Sequence, residues 1–236
     1  MSSIQQNIEL ITSQIADVQQ KCGRARDAVQ LLAVSKTKPN DAILEAAQAG
    51  QRAFGENYVQ EGVDKVQFFS THHPQLKLEW HFIGPIQSNK TRLVAEHFDW
   101  VHTIDRDKTA QRLSAQRPSD LPDLQVLIQV NISGEASKSG IEPEQIFALA
   151  ELISSLPNLT LRGLMSIPAN VDDHAAQLAT FQRLADLQTQ LQKRYPHIDT
   201  LSMGMSGDMS AAIEAGSTMV RIGTAIFGAR DYSNKA

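Results

Sequence analysis

Lys36 closes the apolar run Leu31-Leu32-Ala33-Val34-Ser35-Lys36, and that placement gives it chemical interest. An ammonium at the end of a buried strand sits where water is scarce. Desolvation and a neighbouring cation both lower a lysine's pKa, and the free amine then adds to carbonyl carbons. The plainer reading is a lysine snorkelling from a strand end, which suits Lys38 better, because Pro39 follows it. A second feature is a pair of glycine turns. Ser206-Gly207 precedes a short helical pattern, and Gly223-Thr224 follows Arg221. Backbone N–H groups and two hydroxyls converging there suit a phosphate, whereas ordinary turn chemistry is the alternative. Arg221 lies between Val220 and Ile222. A guanidinium in such a strand is costly unless paired or used, so it reads as a structural ion pair or a ligand-facing cation. His81, in Glu79-Trp80-His81-Phe82-Ile83, reads on its own as a satisfied core histidine.

These residues need a scaffold that holds them together. Eight apolar or β-branched runs read as strands: 29–36, 52–57, 78–84, 100–105, 125–131, 160–167, 200–206 and 218–228. Helical patterns over 41–49, 88–97, 107–116, 143–156, 177–194 and 209–215 separate most of them. Another helix is expected over 4–20, where Ile4, Ile8, Ile11, Ile15 and Val18 share a face and Gly23 supplies the stop. Alternating units predict a parallel sheet with helices outside, either a closed (β/α)8 TIM barrel or a doubly wound open sheet. Eight strands in 236 residues favour the barrel, and no strand is followed by GxGxxG. The chain is expected to be one α/β domain over 1–236. Few residues follow the last strand, so the N-terminal helix is expected to cover the missing outer helix. In a barrel the functional groups gather where strands end, which is where Lys36, Asn57, Ser206 and Arg221 fall.

Composition narrows the partners. Twenty-two basic and 26 acidic side chains give a net charge of −4 with no Lys/Arg block, which argues against nucleic acid or an anionic membrane. One cysteine, Cys22, excludes a disulfide framework and a CxxC metal site. There is no HExxH and no metal is expected. No apolar run approaches the ~18 residues of a membrane span, and the N-terminus lacks a basic leader, so a cytoplasmic location is expected. Lys138, in the polar loop 133–140, reads as a solvated lysine, and Lys90 as an anion contact or a solvated one.

A strand-end lysine, a phosphate cup and a strand arginine together point to pyridoxal 5′-phosphate (PLP), with the arginine facing the pyridine nitrogen. The sequence resembles the YggS/PROSC family of PLP homeostasis proteins. The likeness lies in WHFIGPIQSNK over 80–90, AVSK over 33–36, FGEN over 54–57, Leu164-Met165, SMGMSGD over 202–208 and RIGTAIFG over 221–228. It covers nearly the whole chain in the right order. The resemblance implies a fold-type III barrel like the N-terminal domain of alanine racemase, with no second β domain. It implies PLP held as a Schiff base on Lys36, with Asn57, His81 and Met165 beside it. Ser206, Gly207, Gly223 and Thr224 would take the phosphate, and Arg221 the ring nitrogen. It further implies control of PLP supply and amino-acid balance without enzymatic turnover, with PLP-dependent apo-enzymes as acceptors.

Two enzymatic readings stand beside this one. A weak amino-acid racemase would use the same cofactor. An arginine at the ring nitrogen disfavours its protonation, however, because two cations would meet, and the ring becomes a weaker electron sink. Racemases of this type also take a tyrosine from a second domain. The tyrosines here, Tyr58, Tyr195 and Tyr232, lie in no such addition. Without that domain's interface a monomer is expected. The more remote reading is a lysine aldolase acting on a sugar phosphate without cofactor.

Overall fold

The computed structural model describes residues 3–136 and 139–233. Eight parallel strands close into a barrel in chain order: β1 (Gln30–Val34), β2 (Ala53–Glu56), β3 (Glu79–Phe82), β4 (Trp100–Ile104), β5 (Leu124–Gln129), β6 (Leu159–Met165), β7 (Thr200–Ser202) and β8 (Met219–Ile222). The barrel closes through β8 on β1, with Leu32 opposite Arg221 and Ala33 opposite Ile222. Helices after the strands form the outer layer: α2 (Asn40–Gln48), α3 (Val59–His72), α4 (Thr91–His97), α5 (Asp107–Gln116), α6 (Ile146–Ser155), α7 (His174–Arg194), α8 (Met209–Ala215) and the single turn α9 (Thr224–Phe227). The expected closed barrel is the observed one. Its strands are buried on both sides, which is why β5 reads as the near-continuous apolar run LQVLIQ.

One further helix, α1 (Ile4–Lys21), precedes β1. Ser3 and Gln6 form a capping box that satisfies the first N–H groups, and Ile8, Ile11 and Ile15 are buried on its inner face. The helix packs on α8, α9 and α2, and Asn7 Nδ2 donates to the Ile226 carbonyl at 2.8 Å. It therefore fills the gap left by the short α9, as its apolar stripe predicts.

Three stretches differ from the sequence reading. The run 218–228 is not one strand: β8 ends at Ile222, Gly223 turns the chain, and Ala225-Ile226-Phe227 coil into α9 before Gly228 (φ +82°) reverses it. The run 200–206 is a strand only to Ser202, because Gly204 (φ +107°) bends the chain against α8, where a Cβ would lie 2.7 Å from that of Ala212. The stretch between the second and third strands, read without an element, holds α3.

Candidate cofactor-binding site

Lys36 sits one residue past Ser35, where β1 gives way to its loop, and both flanking peptides are fixed. The Ser35 N–H donates to the Gly55 carbonyl of β2 at 2.9 Å, and its hydroxyl donates to the Glu56 carboxylate. Lys65 of α3 donates to the Ser35 carbonyl at 2.7 Å, and its Nζ lies 2.9 Å from both Glu56 Oε1 and Glu61 Oε1. Glu61 in turn accepts the Thr37 N–H at 2.6 Å. Thr37 is held at φ +67°, a left-handed conformation that a β-branched residue rarely adopts. A buried ion cluster on β2 and α3 thus grips the chain on either side of Lys36. Burial lowers the Lys36 pKa below the ordinary lysine value, and the Arg230 guanidinium lowers it further. Tyr232 and Glu56 pull weakly the other way.

A cavity of about 460 Å³ opens at the C-terminal ends of the strands. It brings together Lys36, Asn57, Ser206, Gly207, Arg221, Gly223 and Thr224, seven residues expected to bind one ligand. Val34, Ile83 and Ile167 supply apolar wall. Ser206-Gly207 leads into α8 and Gly223-Thr224 into α9, where first-turn N–H groups have no intrahelical acceptor. Arg221 is 4% exposed. Its Nη1 donates to Ser202 Oγ at 2.6 Å and its Nη2 to the Ser166 carbonyl at 2.9 Å. Both acceptors are neutral, so the structural ion pair is not what holds it. Burial pulls its pKa down to about 10, with Asp208 opposing.

Two expected contacts lie elsewhere. His81 is fully buried inside the barrel, stacked 5.1 Å from Trp100. Met165 is fully buried with Trp100 and Leu127. Neither lines the cavity; both fill interior layers, where barrel strands place their inward side chains. Lys90 lines a neighbouring cavity of about 500 Å³ that shares Asn57. Lys138 lies outside the described residues.

The structure adds residues that the sequence reading missed. Arg230, from the segment after α9, lines the cavity. A Cβ on Gly223 would lie 2.2 Å from its guanidinium, so glycine is what admits the arginine. Lys38 Nζ donates to the Ala229 carbonyl and ties that segment to the loop after β1. Lys65 and Glu61 belong to the missed helix, whose signal was Val59, Val63, Val66 and Phe69 at helical spacing.

PLP presents an aldehyde, a ring nitrogen and a phosphate, and the cavity has a counterpart for each: an amine, a guanidinium and two turns with hydroxyls. Its polar wall also has unmet capacity, because the buried Asn57 Oδ1 has no hydrogen-bond partner among the described residues. The residues fit the cofactor. Among the described residues, no three His, Cys, Asp or Glu side chains cluster to hold a metal ion. Nor is any described helix long and apolar enough to cross a membrane.

Comparison with known proteins agrees with this geometry. The family described as alanine racemase, N-terminal domain, matches residues 7–231. A Vibrio cholerae protein named pyridoxal phosphate homeostasis protein is 79% identical over 236 residues, covering all of both chains. An Escherichia coli protein of the same name is 59% identical over 235 residues, again covering both chains. The structure of Synechococcus elongatus PipY with PLP bound superposes with a TM-score of 0.77 at 36% identity, covering 91% of this chain and all of that one. Alanine racemase from Corynebacterium glutamicum gives a TM-score of 0.67 at 16% identity, and this chain covers 63% of it, a likeness of fold alone.

Proposed function

The chain belongs to the pyridoxal phosphate homeostasis protein family, and on that premise we propose that it holds PLP covalently on Lys36 and buffers or delivers it to apo-enzymes. The observation that carries this reading is the convergence of Lys36, Arg221 and both glycine turns on one cavity. When bound, PLP supplies an aldehyde carbon to which an uncharged amine adds. Burial and Arg230 favour that uncharged amine on Lys36. Ser206, Gly207, Gly223 and Thr224 take the phosphate, with Arg230 as a further cation. Arg221 donates toward the ring nitrogen and so favours its unprotonated form, which suits holding the group over transforming it.

Exposure supports the carrier role. Met205, Ser206, Gly207 and Thr224 are solvent-exposed, so the phosphate end stays reachable for exchange. In this reading residues 1–236 act as one PLP-binding domain, a cytoplasmic monomer.

The test is the visible spectrum of purified protein with added PLP, followed by borohydride reduction and peptide mapping. An absorption band with the label on Lys36, lost in Lys36→Ala, supports the assignment. No band, or label scattered over surface lysines, overturns it.

A further inference from the structure

A chain of buried hydrogen bonds crosses the barrel beneath the cavity. Arg221 Nη1 meets Ser202 Oγ at 2.6 Å, Ser202 Oγ meets His102 Nδ1 at 3.0 Å, and His102 Nε2 meets His81 Nδ1 at 2.8 Å. His81 Nε2 then meets Glu79 Oε1 at 2.7 Å. The chain passes from β8 and β7 through β4 to β3. It ends at the first residue of β3, on the rim opposite the cavity. Ser202, His81 and His102 are fully buried, whereas the Glu79 side chain is 42% exposed.

The two ends, with a single N–H on each imidazole, set the direction of every bond between them. Arginine only donates, and an ionised carboxylate only accepts. Ser202 Oγ accepts from Arg221, so its hydroxyl hydrogen is left for His102 Nδ1. Each neutral imidazole carries one N–H. His102 must therefore donate from Nε2 to His81 Nδ1, and His81 must donate from Nε2 to Glu79. With one N–H on each imidazole, all four bonds run one way and both histidines are Nε2–H tautomers. Burial holds His102 well below its ordinary pKa, and the Arg221 guanidinium lowers it further. If the histidines flipped to Nδ1–H, His102 and Arg221 would both donate to Ser202 Oγ. The Ser202 hydroxyl hydrogen would then lose its acceptor, and the hold on Arg221 would loosen.

We propose that Glu79 is a positioning residue for Arg221: by accepting from His81 at the far rim, it selects the tautomers that leave Ser202 as a clean acceptor for the arginine of the cofactor cavity. The inference rests on Arg221 facing a PLP ring nitrogen. The Glu79→Gln substitution keeps an acceptor oxygen at this position, whereas Glu79→Ala releases His81 and lets the chain invert.

The experiment records imidazole 15N correlations in PLP-free protein and PLP affinity by fluorescence titration, for wild type, Glu79→Ala, Glu79→Gln and Ser202→Ala. Nε2–H tautomers at both histidines are expected in wild type and Glu79→Gln, with matching affinities. Mixed or Nδ1–H tautomers are expected in Glu79→Ala, with binding weakened about tenfold, the size of one charge-assisted hydrogen bond. Ser202→Ala, a small truncation, should weaken binding similarly if Glu79→Ala does not fold. Nδ1–H tautomers in a wild type that binds PLP would overturn the coupling alone, as would unchanged tautomers and affinity in both alanine variants. A wild type that binds no PLP overturns the cavity's assignment and the coupling with it.

Discussion

The Lys65 ammonium donates to the Ser35 carbonyl at 2.7 Å, and so ties α3 to the peptide that leads into Lys36. The same ammonium pairs with Glu56, whose side chain is fully buried, and burial pushes that carboxyl's pKa up against the pull of Lys65 and Ser35. Position and stability at Lys36 are therefore one problem. Replacing Lys65 by Met leaves Glu56 buried without its cation, a loss of about 3–5 kcal/mol. A fall in Tm of about 10 °C is expected by calorimetry. Covalent PLP uptake should fall as well, and Glu56→Gln in the same chain should recover part of the stability. An unchanged Tm would show that the cluster does not hold the loop.

Arg230 lowers the Lys36 pKa, second only to burial. Removing that cation with Arg230→Gln lets the Lys36 pKa rise, so the amine stays protonated to higher pH. The pH midpoint of PLP uptake, followed by stopped-flow absorbance, should move upward, and PLP should be lost faster on dialysis. A midpoint that stays put would place Arg230 away from the reacting amine.

Deleting residues 1–22 removes the buried faces of Ile8, Ile11 and Ile15 and the Asn7 hydrogen bond to Ile226. At roughly 1.5–3 kcal/mol per buried isoleucine, the truncated chain should melt far below the full one and bind a hydrophobic dye. An unchanged melting temperature would mean that α1 covers nothing of consequence.

Amino acids incubated in deuterium oxide with the PLP-loaded protein should exchange their α-hydrogen no faster than with free PLP. In the proposed arrangement Arg221 faces the ring nitrogen and makes it a weak electron sink, and among the described residues no tyrosine lines the cavity. Proton NMR of the α signal decides it, and exchange well above the free-PLP rate would restore the racemase reading.

His102 is held uncharged by burial. Its folded pKa lies well below the ordinary value of 6.5, so below that pH the unfolded chain binds a proton that the folded chain does not. Its stabilising contribution is present above pH 6.5 and fades as pH falls toward the folded pKa. Urea midpoints measured between about pH 7.5 and 5 should drop more steeply for wild type than for His102→Gln. Parallel slopes for the two would contradict a neutral buried imidazole.

Much of the architecture was legible because strand and helix periods are local. The eight strands, the covering helix α1 and the cluster of Lys36, Arg221 and the two glycine turns all followed from spacing and the barrel rule. What was missed is not local. Helix α3 carries Gly62, a poor helix former. The position is tertiary: a Cβ there would lie 2.6 Å from the Phe98 ring. The family resemblance alone puts His81 and Met165 beside the cofactor, whereas the sequence around His81 reads as a core histidine, which is how it lies; a strand run does not show how deep each side chain sits along the barrel axis. Arg230 reaches the mouth only because the segment after α9 turns back over it. The apolar run after Gly223 reads as continued strand until a turn forces it into α9.

The pairing of β1 with β8 has a consequence for how the molecule is made. Leu32 faces Arg221 across that seam, so Lys36 and Arg221 share a cavity only when the last strand has docked on the first. A ribosome must therefore pass residue 222 before both halves of the cavity exist. A nascent or truncated polypeptide that stops before β8 carries Lys36 but not Arg221, and only one of the two glycine turns. In the proposed reading, capture of PLP waits for the closed circle, and retention of the ligand reports that β8 has docked on β1.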